Sequence, residues 1–109
     1  MSMYYEGIGQ LSLSFMQEGE LTVGQVCQLT ENGKVAVCGA GDSFHGVVDA
    51  VRGDLCGVTM RGAVRVSGSV SAVGWQKLSA DGSGGVKADA AGHEYLVLQA
   101  DGGTVVLFL

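Results

Sequence analysis

The stretch 38–46, CGAGDSFHG, brings together residue types that could bind a phosphate or carry out chemistry. Two close glycines, an acid, a serine and a histidine are typical of a phosphate-holding loop. Such a loop needs its glycines at fixed offsets between a strand and a helix N-terminus, often with a GK[ST] ending. Here position 44 is Phe, no GK[ST] follows, and the next residues alternate like a strand. The stretch therefore predicts a turn followed by a strand.

Two histidines, His45 and His93, are the other candidates for chemistry. Few acids are spaced to join either of them as a general base or a metal ligand. No serine or cysteine has an evident neighbouring base, and the GxSxG elbow is missing. We therefore expect no enzymatic activity, no catalytic residue, no metal and no cofactor.

Three cysteines, Cys27, Cys38 and Cys56, stand at wide and irregular spacing. An odd number without a CxxC pair argues against a disulfide framework and against zinc. Free cysteine behaves as a small apolar residue. The spacing predicts reduced, mostly buried structural thiols.

The charge of the chain limits the classes of partner that it could bind. A formal net charge of -5 with six unclustered basic residues argues against nucleic-acid binding, which needs a basic patch. The opening MSMYYEGIGQLSLSFMQ has neither a positive n-region nor a long apolar stretch. The composition therefore predicts a chain made in the cytoplasm, with no membrane contact.

The sequence predicts that the elements positioning these residues are strands. LSLSF at 11–15 alternates with period two, and ENG at 31–33 and DGG at 101–103 indicate hairpin turns. The run 56–72 keeps one parity but is interrupted by Gly62 and Gly68, so it is two strands or one strongly coiled strand. No segment has a helical period of adequate length, and the sequence predicts an all-β fold with little or no helix.

An internal repeat organises the chain at an offset of about fifty residues. VGQVCQLTENGKV at 23–35 matches VGWQKLSADGSGGV at 73–86, and AGDSFHGVV at 40–48 matches AGHEYLVLQ at 91–99, with Phe44 against Tyr95. We predict a small barrel or sandwich of roughly seven to ten short antiparallel strands in two pseudo-symmetric halves that share one core. Residues 1–20 are an N-terminal arm plus the first strand; residues 21–109 are one β domain with half-repeats of about 21–66 and 70–109.

Partner contacts are expected where the two halves differ and where aromatic residues lie at ends and turns. Trp75 and Phe108, like the aromatics near the N-terminus, suit interface anchors, although Trp75 could instead cap the core of the second half. Asp42 and His45 are unmatched in the repeat. Residues 1–10 are too apolar for an inert tail and are expected against a neighbouring subunit. The candidate partner-contact residues are Tyr4, Tyr5, Asp42, His45 and Trp75.

Three segments carry a resemblance to a known family: TVGQVCQLTENGKV, GVTMRGAVRVSGSVSAVGWQKLSADGSGGV and GGTVVLFL. Over about residues 20–109 the chain resembles small phage head decoration, or capsid cement, proteins. The cysteines and the tyrosine-rich start lie outside that pattern. The resemblance implies a phage or prophage structural protein without enzymatic activity. It further implies a homo-oligomer that binds the major capsid protein and stabilises the lattice, cytoplasmic during assembly and then part of the virion.

The alternative from another class is a β-barrel module that binds a sugar, a peptide or a similar ligand. The unequal loops around 39–46 and 83–93 would form the mouth of its binding site.

Overall fold

The computed structural model describes residues 10–109, which form ten strands in two closed five-stranded sheets, one in each half of the chain. The first barrel consists of β1 (Leu11–Gln17), β2 (Val26–Glu31), β3 (Lys34–Val37), β4 (Gly46–Arg52) and β5 (Leu55–Arg61). The second consists of β6 (Ala63–Ser69), β7 (Gly74–Ala80), β8 (Val86–Ala88), β9 (His93–Asp101) and β10 (Thr104–Phe108). None of the described residues lies in a helix. The all-β fold with two pseudo-symmetric halves is confirmed.

Both barrels have the same strand order. In each half the first strand lies between the third and the fifth, and the second lies between the third and the fourth. The β1–β3 and β6–β8 pairs are parallel, which the prediction of antiparallel strands missed. The physical reason is closure. Directions cannot alternate all the way round a ring of five strands, so one neighbouring pair must be parallel.

The last two strands of each half share one irregularity that fixes the correspondence between the barrels. The β4–β5 register shifts so that no residue of β5 lies directly opposite Asp49, and the β9–β10 register shifts so that no residue of β10 lies directly opposite Leu98. Val48 therefore corresponds to Val97, an offset of 97 − 48 = 49 residues. By this register Tyr95 does not correspond to Phe44, as the sequence match had it. The two rings instead stack on each other, with centroids 4.7 Å apart.

The turn signals in the sequence are confirmed. Gly33 has φ +74° in the turn between β2 and β3, and β9 and β10 are joined at the predicted DGG turn. The long run of one parity divides at Gly62, whose φ of +113° is a conformation that favours glycine. Of the two alternatives left open by the sequence, two strands is correct.

The hydrophobic core of residues 10–109 consists of two clusters, where the sequence predicted one. The smaller lies within the first barrel and contains Leu21, Cys27, Val35, Val48, Cys56 and Val58. The larger fills the second barrel and also takes in four residues of the first half, Val26, Cys38, Phe44 and Val47. The larger cluster therefore spans the junction of the two barrels and joins them.

Candidate protein-binding surfaces

Asp42 occupies a structural position at the junction of the barrels. Its carboxylate Oδ2 accepts hydrogen bonds from the Gly39 amide at 2.8 Å and the Gln28 side chain at 3.1 Å. Its main-chain carbonyl accepts a third from the amide of Ala80, at 2.9 Å, across the junction. The carboxylate thus closes the loop that the sequence singled out, and the loop docks on the second barrel.

His45 is exposed, yet it is also bonded within the fold. Its Nδ1 accepts a hydrogen bond from the amide of Leu29 at 2.9 Å, and its own amide donates to the carbonyl of Cys27 at 2.8 Å. The structure therefore places Asp42 and His45 in one loop, with internal partners for both side chains. Tyr4 and Tyr5, the two candidate partner-contact residues in the N-terminal segment, lie outside the described residues.

Trp75 lies on the outer surface of the second barrel with 65% of its side chain exposed, so it does not cap a core. It is directly opposite Leu96 on β9, and Leu96 is directly opposite Phe108 on β10. Phe108 is 48% exposed, and Leu96 is half-buried. We call these three side chains the Trp75 row. The sequence indicated Trp75 and Phe108 as interface anchors. It did not indicate Leu96, because the position of Leu96 depends on strand register.

The same positions in the first barrel are buried. Val26 pairs with Val47 and Val47 with Thr59, as Trp75 pairs with Leu96 and Leu96 with Phe108. Members of this Val26 row are at most 5% exposed. Val26 and Val47 belong to the core cluster of the second barrel, so the other barrel is what buries them.

A second exposed apolar surface lies on β1. Leu11, Leu13 and Phe15 share one parity and form what we call the β1 face; Phe15 packs on the first core cluster, whereas Leu13 is 47% exposed. Among the described residues, β1 pairs with β5 from Leu11 to Met16 but with β3 only at Met16 and Gln17. One edge of residues 11–15 is therefore without a partner strand in the described part of the chain.

Three buried thiols occupy the cores. Burial is the main reason that the pKa of Cys27 is raised to about 12 and that of Cys38 to about 11, and it also raises the pKa of Cys56. The predicted burial of all three is confirmed. Thiols held neutral in this way are poor nucleophiles and poor metal ligands.

Each of the two loops proposed as a ligand mouth bonds to the other barrel at the junction. The amide of Gly41 donates to the carbonyl of Ala80 at 2.8 Å, and the amide of Val26 donates to the carbonyl of Gly84 at 2.9 Å. A Cβ at Gly82 would lie 3.1 Å from the Cβ of Ala40. Residues 40–41 are thus packed on Ala80 and Gly82, and Gly84 is bonded to β2.

No family model matches the chain, and a search of curated proteins found no significant match. In the part of the chain that the structure covers, no three His, Cys, Asp or Glu side chains are grouped to hold a metal. Nor does any helix in residues 10–109 have the length and apolarity to cross a membrane.

Proposed function

We propose that this chain is a non-enzymatic structural protein that binds a phage capsid lattice in many copies and stabilises it, as the decoration proteins it resembles do. The observation that carries the proposal is the Trp75 row, an exposed line of large apolar side chains across three paired strands. Tryptophan and other aromatics are the residues that most often dominate protein interfaces. Here they are held on a rigid sheet, so little conformational entropy is lost when they bind.

Repetition strengthens such a surface. One row buries a modest apolar area, worth about 25 cal/mol for each Å² removed from water. On a lattice each copy binds beside others, and linked weak contacts can raise the overall affinity by about 10²–10⁴. The net charge of -5 on a chain of 109 residues favours solubility, since like-charged copies repel at long range.

The test is co-sedimentation with heads assembled from the major capsid protein encoded beside the gene for this chain. We expect saturable binding at a fixed number of copies per head. Trp75→Ser should weaken it by about tenfold or more, since truncating an interface anchor commonly has that effect. Leu55→Ser is the matched control, because Leu55 is 52% exposed and lies outside the row. Failure of the wild-type chain to sediment with heads would refute the proposed function.

A further inference from the structure

The contact between the two barrels has two sides. The first barrel contributes Val26 and Val47 of the Val26 row, and the second contributes residues that include Val64 and Val66 of β6. All four side chains belong to one core cluster, and none is more than 5% exposed. Val47 and Thr59 of the row also line one surface cavity with Ala63 and Val64, so the row lies beside β6. The joint is therefore a dry apolar contact between the outer surface of one barrel and the β6 side of the next.

Each side of this joint has an exposed counterpart elsewhere in the chain. The Trp75 row of the second barrel matches the Val26 row position by position. Val58 and Leu107 hold the same position in the two barrels. Leu13 lies opposite Val58, and Val64 lies opposite Leu107, so the β1 face of the first barrel corresponds to the β6 side of the second. Val64 is 5% exposed and Leu13 is 47% exposed. A tandem repeat with one internal joint leaves one copy of each side unpaired, and both unpaired copies here are apolar.

A third pair of positions shows the same asymmetry. The offset of 49 residues that matches Val26 to Trp75 also matches Leu29 of β2 to Leu78 of β7. Leu78 is 1% exposed and belongs to the cluster that spans the joint, whereas Leu29 is 42% exposed. Within residues 10–109, the first barrel thus has no counterpart of the cover that the second barrel receives from the first.

We propose that the occupant of the Trp75 row is a second copy of this chain, bound through its β1 face, so that copies associate head to tail by repeating the internal joint. Trp75 and Phe108 are larger than Val26 and Thr59, and the β1 face is more open than the β6 side, so we expect a wider spacing between barrels than within the chain. Because the two surfaces differ, the contact is heterologous, and it produces a closed ring or an open chain of copies. Because a row that holds a second copy cannot also contact a capsid subunit, the head-to-tail contact is one of the free chain, before it binds a head.

The experiment uses two variants of the full chain, each of which removes one side of the contact. By sedimentation velocity at concentrations up to about 1 mM, the wild type should associate, whereas Trp75→Ser and Leu13→Ser should each be monomeric. Mixed together, they retain one intact row and one intact β1 face, and should form a 1:1 dimer. Trp75 is the single tryptophan in the chain, so its emission in Leu13→Ser should shift to the blue when Trp75→Ser is added. Leu55→Ser should associate like the wild type.

Several results would overturn the proposal. A Leu13→Ser chain that associates like the wild type, while Trp75→Ser does not, would mean that rows pack on rows. A wild-type monomer at every concentration, or association that begins only when residues 1–9 are deleted, would mean that no second copy occupies the row of the intact chain. Circular dichroism checks folding, and Leu11→Ser replaces Leu13→Ser if the latter unfolds. A chain that associates but ignores heads would refute only the proposed function, and a monomer that binds heads would refute only the head-to-tail contact.

Discussion

Cys27 acts in this fold as a small apolar side chain whose neutral state is required. It is fully buried, and its Sγ lies 3.6 Å from the carbonyl oxygen of Gly46, to which it donates. Burial, with smaller contributions from Cys38 and Cys56, raises its pKa from 9.0 to about 12. The unfolded thiol ionises near pH 9, so this contribution to stability is complete below that pH and is lost as the pH rises towards 12.

The first prediction follows from the raised pKa of Cys27. The free energy of unfolding should decline from pH 9 to pH 11, and Cys27→Ala should decline less steeply, although it starts from a lower stability at pH 8. Urea titrations at each pH measure both slopes. Native Cys27 should also react with iodoacetamide far more slowly than the unfolded chain. Equal slopes in the two proteins would show that ionisation of this thiol is not coupled to unfolding.

Asp89 gives a prediction of opposite sign. Its carboxylate accepts hydrogen bonds from the Ser79 hydroxyl at 2.7 Å and the Ala91 amide at 2.9 Å, and the pKa of Asp89 is lowered, mainly by the first of these. Its contribution is therefore present above the unfolded pKa near 3.9 and lost as the pH falls through the folded value. Asp89→Asn should be less stable than the wild type at pH 7, and the difference should shrink below pH 4. Asp101→Asn, at an exposed turn, serves as the control; a difference independent of pH would contradict the assignment.

At the scale of elements, the repeat places glycine at two matched turns for two different reasons. Gly41 has φ +85° with open space where a Cβ would point, whereas a Cβ at Gly92 would lie 2.3 Å from the main-chain oxygen of Leu78. The first glycine permits a left-handed conformation, and the second permits a close approach between a turn and β7.

Replacing the two glycines by alanine should therefore lower the free energy of unfolding by different amounts. Gly41→Ala should lower the free energy of unfolding by about 1 kcal/mol, the strain of a left-handed residue with a Cβ. Gly92→Ala should lower it by about 2–3 kcal/mol, because β7 must move at Leu78, within its ladder to β9. Urea unfolding of both variants measures the order, and a larger loss for Gly41→Ala would reverse the interpretation.

The strands and turns could be predicted from the sequence because their signals are local. The alternation of LSLSF indicated β1, and the ENG and DGG turns indicated two of the hairpins that follow it. Strand register could not be predicted: the matched irregularities at Asp49 and Leu98 set the offset at 49 residues, whereas the sequence match of 40–48 with 91–99 had an offset of 51, and no local signal marks the difference. The match of Phe44 to Tyr95 failed for this reason, and Leu96 was missed for the same one.

At the scale of the molecule, the repeat predicted two halves but not how they close. Each half is small, which favoured a single shared core, yet a parallel first-to-third contact lets each ring of five strands close on itself. The composition of the chain also could not predict that Trp75 is exposed. Val26 holds the same position in the first barrel and is buried, so only the one-sided joint between the barrels decides which row is exposed.

That joint determines how the whole chain should unfold. Phe44 of the first half is buried and stacks on Tyr95 of the second, whose hydroxyl donates to the carbonyl of Phe44 at 3.2 Å. Because the larger core cluster spans both barrels, opening the first barrel exposes apolar surface of the second. Amide hydrogen exchange in the wild type should therefore show the same global opening free energy in the most protected amides of both halves.

Phe44→Ala should weaken this coupling. We expect the free energy of unfolding to fall by about 3–4 kcal/mol, as for other buried phenylalanines. Protection should then be lost earlier in β4 and β5 than in β9 and β10, because the second barrel retains the larger cluster. Phe108→Ala makes the same chemical change at an exposed site and, in dilute solution, should alter stability by no more than about 0.5 kcal/mol. Equal loss of protection in both halves of Phe44→Ala would mean that the barrels remain one cooperative unit without this ring.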